Sequence, residues 1–142
     1  MTSDDVFATE HTRAMIAGDA ASAALGMTVV RAEPGHAVVT MTVRADMLNG
    51  FQVAHGGLVF ALADTAFALA CNETDTVTLA AGADIAFLSP ARAGDVLEAV
   101  ADRRALAGRS GLYDIRVTAQ DGRVVAEVRG RSRTSALTMP SS

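Results

Sequence analysis

The sequence predicts a single α+β domain in which an antiparallel sheet folds around one apolar helix. Three observations carry that prediction. A run from Gly56 to about Asn72 is apolar on nearly every side, several strand-like runs follow it, and turn residues separate those runs. At 142 residues the chain suits one domain and can bury a core without staples. Half of its residues are hydrophobic and 20% are charged, a globular composition.

Each element has its own signal. Residues 4–20 read as a polar helix with an apolar stripe of Val6, Phe7, Met15 and Ile16, capped by Ser3 or Asp4. From Met27 the period changes to two. Met27–Arg31 reads as a strand and Glu33-Pro34-Gly35-His36 as a turn. In the next strand Val39, Met41 and Val43 face one way, while Thr40, Thr42 and Arg44 face the other. Arg44–Val53 has no period and contains Asn49-Gly50, so it reads as a loop. Gly56-Gly57 then opens the central helix, and Leu58 through Ala70 make it apolar all round, the pattern of a buried helix.

Four strands follow: Thr76–Leu88, Asp95–Ala105, Gly111–Ala119 and Arg123–Thr134. Pro90 with Gly94, then Gly108, then Asp121-Gly122 punctuate them, and the Asp-Gly pair marks a tight hairpin. Ser135–Ser142 reads as a small, polar, frayed tail. The division is therefore an N-terminal helix over 1–20, the main domain over 21–134 and a flexible tail over 135–142.

A formal net charge of −4 gives no overall pull toward nucleic acid or an anionic membrane, although it leaves room for a local basic site. Cys71 is the one cysteine, so no intramolecular disulfide is available, which fits a reducing compartment. The N-terminus is acidic where a secretory signal is basic, and the apolar stretch Leu58–Cys71 is too short for a bilayer. These features predict a cytoplasmic protein.

Asp64 is out of place in the most apolar helix. An ionised carboxylate there is costly unless it is paired, hydrogen-bonded or facing a cavity. Perturbed carboxylates gather at functional sites. The competing reading is a carboxylate that caps a loop or pairs with an arginine. His55-Gly56-Gly57 is the second feature. Free N–H groups at a helix start form an anion site, and glycine lets a ligand come close to the main chain. Its chemical use is an oxyanion hole, and its plain use is a turn that starts the helix.

The two features constrain each other. Gly56 and Asp64 lie on one helix, separated along its axis by roughly 12 Å at about 1.5 Å per residue. A base and an oxyanion donor must meet at one carbonyl, about 3 Å from each. One copy of the helix cannot do this, whereas two antiparallel copies can. If both features are catalytic, the site lies at a dimer interface.

The run Asn49-Gly50-Phe51-Gln52-Val53-Ala54-His55-Gly56-Gly57, followed by Leu62-Ala63-Asp64-Thr65-Ala66-Phe67-Ala68, closely resembles hotdog-fold thioesterases. It is most similar to their phenylacetate-pathway (PaaI-like) branch. Phe87-Leu88-Ser89-Pro90-Ala91-Arg92-Ala93-Gly94-Asp95, Gly111-Leu112-Tyr113-Asp114 and the last strand share the resemblance, which covers roughly residues 20–134. It implies a sheet wrapped around the central helix, dimers usually paired into tetramers, and hydrolysis of aryl- or acyl-CoA. Hydroxylated phenylacetyl-CoA is a natural candidate. The resemblance assigns the catalytic carboxylate to Asp64 and the backbone oxyanion donor to Gly56. His55 and Asn49 fall where relatives orient the thioester or the water, and Thr65 follows the carboxylate as in the closest branch. Some relatives carry a hydroxyl on the strand after the helix. Leu79-Ala80-Ala81-Gly82-Ala83 has none, though Thr78 is near.

The expected reaction places Gly56 N–H on the thioester carbonyl and uses Asp64 of the facing subunit as general base or as nucleophile. No cofactor is expected, since CoA is part of the substrate. Gly57 and Phe51 are expected beside the substrate, with Arg92, Arg109 and Ser110 as phosphate contacts. Arg129, Arg131 and Arg133 line one face of the last strand with Glu127, read here as a solvated or inter-dimer sheet face. Cys71 reads as a buried thiol rather than a nucleophile. His11 and His36 read as surface residues, and three scattered histidines with one cysteine make no metal site. The competing functions are a non-catalytic acyl-CoA-binding module on the same fold, a dehydratase and a purely structural domain.

Overall fold

A computed structural model describes residues 6–139. The elements are α1 (Glu10–Ala17), α2 (Ala20–Ala24), β1 (Thr28–Glu33), β2 (His36–Thr42), a 3₁₀ turn (Ala45–Met47), α3 (Gly56–Cys71), β3 (Thr76–Phe87), β4 (Val96–Ala107), β5 (Ser110–Thr118) and β6 (Val124–Thr138). The strands form one antiparallel sheet in the order β1-β2-β4-β5-β6-β3. β3 therefore leaves the helix, crosses to the far edge and pairs with the last strand.

α3 packs against one face of this sheet. Val39, Met41, Leu97, Ala99, Ile115 and Val117 point inward from the strands. They meet Val59, Leu62, Ala63, Ala66, Phe67 and Ala70 of the helix. Period-2 strands against a 3.6-period helix produce this single core. Gly130 fixes the closest approach: a β-carbon there would come within 2.8 Å of the Phe67 ring. Phe67 also packs on Tyr113 with ring centroids 5.3 Å apart, so it is a core residue. The Asp121-Gly122 turn joins β5 to β6 as expected, with Gly122 at φ 86°.

Three expectations need correction. Among the described residues, the span expected as one helix over 4–20 is broken, with Glu10–Ala17 and Ala20–Ala24 as separate helices. Thr9 caps α1 through its side chain and Asp19 caps α2. Phe7 instead bridges Ala32 beside β1, while the caps expected at Ser3 and Asp4 lie outside the described residues. Gly18 is the reason for the break, since it ends α1 and leaves Asp19 free to start the next turn.

The frayed tail is also corrected as far as Met139. β6 runs on to Thr138, where it pairs with Thr76, and Ser135 Oγ donates to Val77 O at 2.7 Å. The start of β3 supplies backbone partners that composition alone does not reveal. Finally, α3 is not buried all round. Gly57 and Asp64 are exposed, and Ala61 and Ala68 are half-buried. These four positions follow helical spacing along the side of α3 turned away from its core-packed face.

Candidate active site

Two half-sites lie at opposite ends of α3. At the N-terminal end, Ala54 N donates to Ala91 O at 2.7 Å and His55 N donates to Met47 O at 2.9 Å. These bonds fix the entry of the chain into the helix. His55 is the N-cap and its carbonyl accepts from Leu58 and Val59 N, while its side chain makes no cap bond and stays exposed. Among the described residues the N–H groups of Gly56 and Gly57 have no acceptor. They are the free donors of a helix start, with the positive end of the helix dipole behind them.

Asn49 builds the loop before this helix. Its Oδ1 accepts from Phe51 N at 2.8 Å and from Val53 N at 3.4 Å, while Gln52 takes a left-handed φ of 63°. The carbonyl arm of Asn49 is thus committed to the turn, which leaves its amide nitrogen for a ligand. Phe51 projects from the loop with 86% of its surface exposed. Phe87, which sequence reasoning did not single out, lays its ring against Gly56. Together with Val53, Ser89, Pro90 and Ala91 it lines a cleft at the helix start. Its signal was its place at the end of an alternating strand, where the next inward position is the mouth of the helix.

Asp64 forms the other half-site, two turns along. It accepts no hydrogen bond and has no arginine partner among the described residues, which excludes the capping and ion-pair reading. Although its outer side is open to solvent, desolvation by its surroundings raises its pKa above the ordinary 3.8, and the neighbouring Asp19 carboxylate adds to the rise. Beside it opens a cavity of about 360 Å³ walled by Met15, Phe67, Ala68, Val77, Leu79 and Met139. Cys71, Asn72 and Thr78 also reach it. Asn72 is fully engaged: its amide donates to Ala68 O and Thr78 O, and its Oδ1 accepts from Thr78 N. Burial pushes the Cys71 thiol up to about 12, so it is not a thiolate.

Thr65 does not share the open side with Asp64. It is buried and bonds Ser22 of α2 at 2.9 Å. Its hydroxyl faces α2 while Asp64 faces the open side of α3, since consecutive helical residues point about 100° apart. Arg92 lies on the turn after Ala91, close to the first half-site, with its backbone N–H on Asp95. Arg109 and Ser110 lie on the β4–β5 hairpin, and Ser110 Oγ accepts from Arg133 at 3.2 Å. Of the row on β6, Arg129 is held by Asp114 and Arg131 by Asp84. Met15 was legible only as part of an apolar stripe and Met139 not at all, because their place beside Asp64 depends on how both chain ends fold back.

The thioesterase superfamily model matches residues 51–126, a span that contains His55, Gly56, Gly57 and Asp64. The chain belongs to the thioesterase superfamily. This thioesterase is 46% identical over 123 residues to the acyl-coenzyme A thioesterase PaaI of Escherichia coli, covering 87% of this chain and 88% of that one. Its structure superimposes on that of the E. coli PaaI protein with a TM-score of 0.89, at 45% identity, covering 92% of this chain and 94% of the other. The hotdog fold and the PaaI resemblance are thereby established. A Streptococcus mutans protein solved with acetyl CoA bound is 26% identical with a TM-score of 0.74, covering 79% of this chain and 90% of that one. No helix among the described residues is long and apolar enough to cross a membrane.

Proposed function

We propose that this thioesterase hydrolyses acyl-CoA to the free acid and CoA, in a site completed by two subunits. The observation that carries the reading is the pairing of two unsatisfied ends on one helix. Free N–H groups at Gly56 and Gly57 await an anion, and an unpartnered carboxylate at Asp64 borders an apolar cavity. Neither end reaches the other within one chain. The exposed side of α3 carries Gly57, Ala61, Asp64 and Ala68, small enough for a second α3 to lie close. β3 is a sheet edge of 12 residues, which can continue the sheet into a second copy. Pairing of such dimers into a tetramer follows the resemblance.

In the proposed reaction the Gly56 N–H donates to the thioester oxygen and stabilises the negative charge that develops there. Asp64 takes a proton from water as the water oxygen attacks the carbonyl carbon. The carbon–sulfur bond then breaks and the proton passes to the departing CoA sulfur. Direct attack by Asp64 gives an acyl anhydride that water cleaves to the same products. His55 and the Asn49 amide orient the thioester or the water. The acyl group occupies the cavity beside Asp64, whose apolar walls suit an aryl group such as phenylacetyl or hydroxyphenylacetyl.

The CoA phosphates need cations. All twelve basic side chains of the chain are arginines. Among the described residues, only Arg92, Arg109 and Arg133 lack a carboxylate partner, and two of them flank Ser110. The Streptococcus mutans relative with acetyl CoA supports a CoA thioester as ligand of this fold.

The test is release of free thiol from phenylacetyl-, hydroxyphenylacetyl-, benzoyl- and medium-chain acyl-CoA, with Asp64→Asn as control. Turnover that vanishes in the variant is expected. Binding of all esters without turnover would favour a non-catalytic acyl-CoA-binding module.

A further inference from the structure

We propose that Ser22, anchored by Asp19 and bonded to Thr65, is a positioning residue that fixes the turn of α3 carrying Asp64, making the N-terminal helix pair a working part of the active site. The inference rests on the thioesterase reading and adds residues outside the span that the family model covers.

The bonds form a directional chain. Asp19 Oδ1 accepts from Ser22 N at 2.9 Å, and Asp19 Oδ2 accepts from the Ser22 hydroxyl at 2.6 Å. The Ser22 proton is therefore committed, and its oxygen is left to accept from Thr65 at 2.9 Å. Two buried hydroxyls and a carboxylate thus run from α3 to α2 in one order. A threonine inside a helix ordinarily bonds back to a carbonyl of its own preceding turn. Here Thr65 spends its proton on another element, next in sequence to Asp64. Rotation of α3 about its axis, which would re-aim Asp64, has to break this bond inside the protein, where an unpaired hydroxyl is costly.

Two further observations point the same way. Met15 of α1 walls the cavity beside Asp64, so the N-terminal pair reaches the reaction space directly. Asp19 is also the charged group that acts on Asp64. The cavity walls from α1, β3 and the chain end contribute Met15, Val77, Thr78, Leu79, Ala80 and Met139, none of them titratable. On α3 itself the other titratable group at the cavity is the Cys71 thiol, neutral at working pH. A base whose pKa is lifted toward neutrality is a stronger proton acceptor, so Asp19 aids the chemistry as well as the geometry.

The experiment uses Ser22→Ala, Thr65→Val, Thr65→Ser and Asp19→Asn in the full chain. Asn remains a good helix cap, so Asp19→Asn keeps the fold while removing the charge. Ser22→Ala and Thr65→Val are expected to lower kcat by at least about tenfold. KM should stay within about twofold. Thr65→Ser should restore kcat. Asp19→Asn should move the acid limb of the kcat profile to lower pH. The Asp64 carboxyl titration, followed by carbon NMR without substrate, should fall with it. Wild-type kcat and an unmoved acid limb in these variants, with only Tm lowered, would overturn the proposal and leave a purely structural link. Should the wild type cleave no acyl-CoA, the thioesterase reading fails, while the Asp64 titration in Asp19→Asn still decides the coupling.

Discussion

The ring of Phe87 occupies the space that any side chain at Gly56 would need, with its Cζ 2.9 Å from where a β-carbon would stand. The end of β3 and the start of α3 are thus matched to each other, and glycine at 56 is demanded by packing as well as by access to the main chain. Gly57 has open space around it.

This relationship allows the oxyanion donor to be removed cleanly. Gly56 is the first helical residue, a position proline accepts well. His55 before it already has φ −55° and ψ 133°, the conformation a following proline requires. Phe87→Ala makes room for the ring. Adding Gly56→Pro to Phe87→Ala should lower kcat by roughly 100- to 1,000-fold, the usual effect of losing one such donor, with Tm close to that of Phe87→Ala. Unchanged kcat would remove Gly56 N–H from the mechanism.

Asp64→Asn should lose roughly 100- to 10,000-fold in turnover, as expected for a general base. It should also be no less stable than the parent at neutral pH. The folded pKa of Asp64 lies above its ordinary 3.8, so its contribution to stability is most favourable below that value. That contribution is lost as pH rises through the folded pKa. The variant should therefore match the parent at pH 3 and gain on it by neutrality. Asp64 is exposed on its outer side, so the gain is discounted to under about 1 kcal/mol. Melting curves at several pH values measure it.

If Gly56 and Asp64 of different subunits meet at one thioester, two dead variants should rescue each other. A dimer of one Gly56→Pro/Phe87→Ala subunit and one Asp64→Asn subunit has one doubly damaged site and one with its donor and base intact. After unfolding and refolding an equimolar mixture, about a quarter of the wild-type activity should return, from the statistics of a twofold assembly, because the intact site keeps the Gly56 and Phe87 of the Asp64→Asn subunit. No recovery in a mixture shown to contain heterodimers would mean that the site is complete within one chain.

Arg109→Ala should raise KM for an acyl-CoA by about fivefold, near 1 kcal/mol, and leave kcat unchanged. Hydrolysis of the matching pantetheine thioester, which lacks the nucleotide, should not respond. Equal effects on both thioesters would place Arg109 outside phosphate recognition.

Much of the fold was legible because its signals are periodic. Val39, Met41 and Val43 alternate inward as predicted, and Asp121-Gly122 turns β5 into β6. What escaped depended on contacts between distant segments. Ser135–Thr138 became strand because the start of β3 lies alongside, and no local pattern announces a cross-strand partner. The N-terminal region was read as one helix because its stripe is weak, whereas the capping side chains of Thr9 and Asp19 divide it.

The site was legible in its backbone and less so in its side chains. Asp64 and His55-Gly56-Gly57 stand out as a carboxylate in an apolar run and glycines at a helix start, and they do form two unsatisfied ends. The direction of the Thr65 side chain was not legible. Its neighbour in sequence faces a cavity while its own hydroxyl faces α2, and only the rotation of α3 against the N-terminal pair decides which residue looks where.

Cys71, finally, bears on how this enzyme can be assayed. It is the one thiol of the chain, enclosed and held at a pKa of about 12. Disulfide reagents react with thiolates, so the folded protein gives them almost nothing to consume. Colour that develops with such a reagent during turnover therefore reports released CoA against a silent protein background.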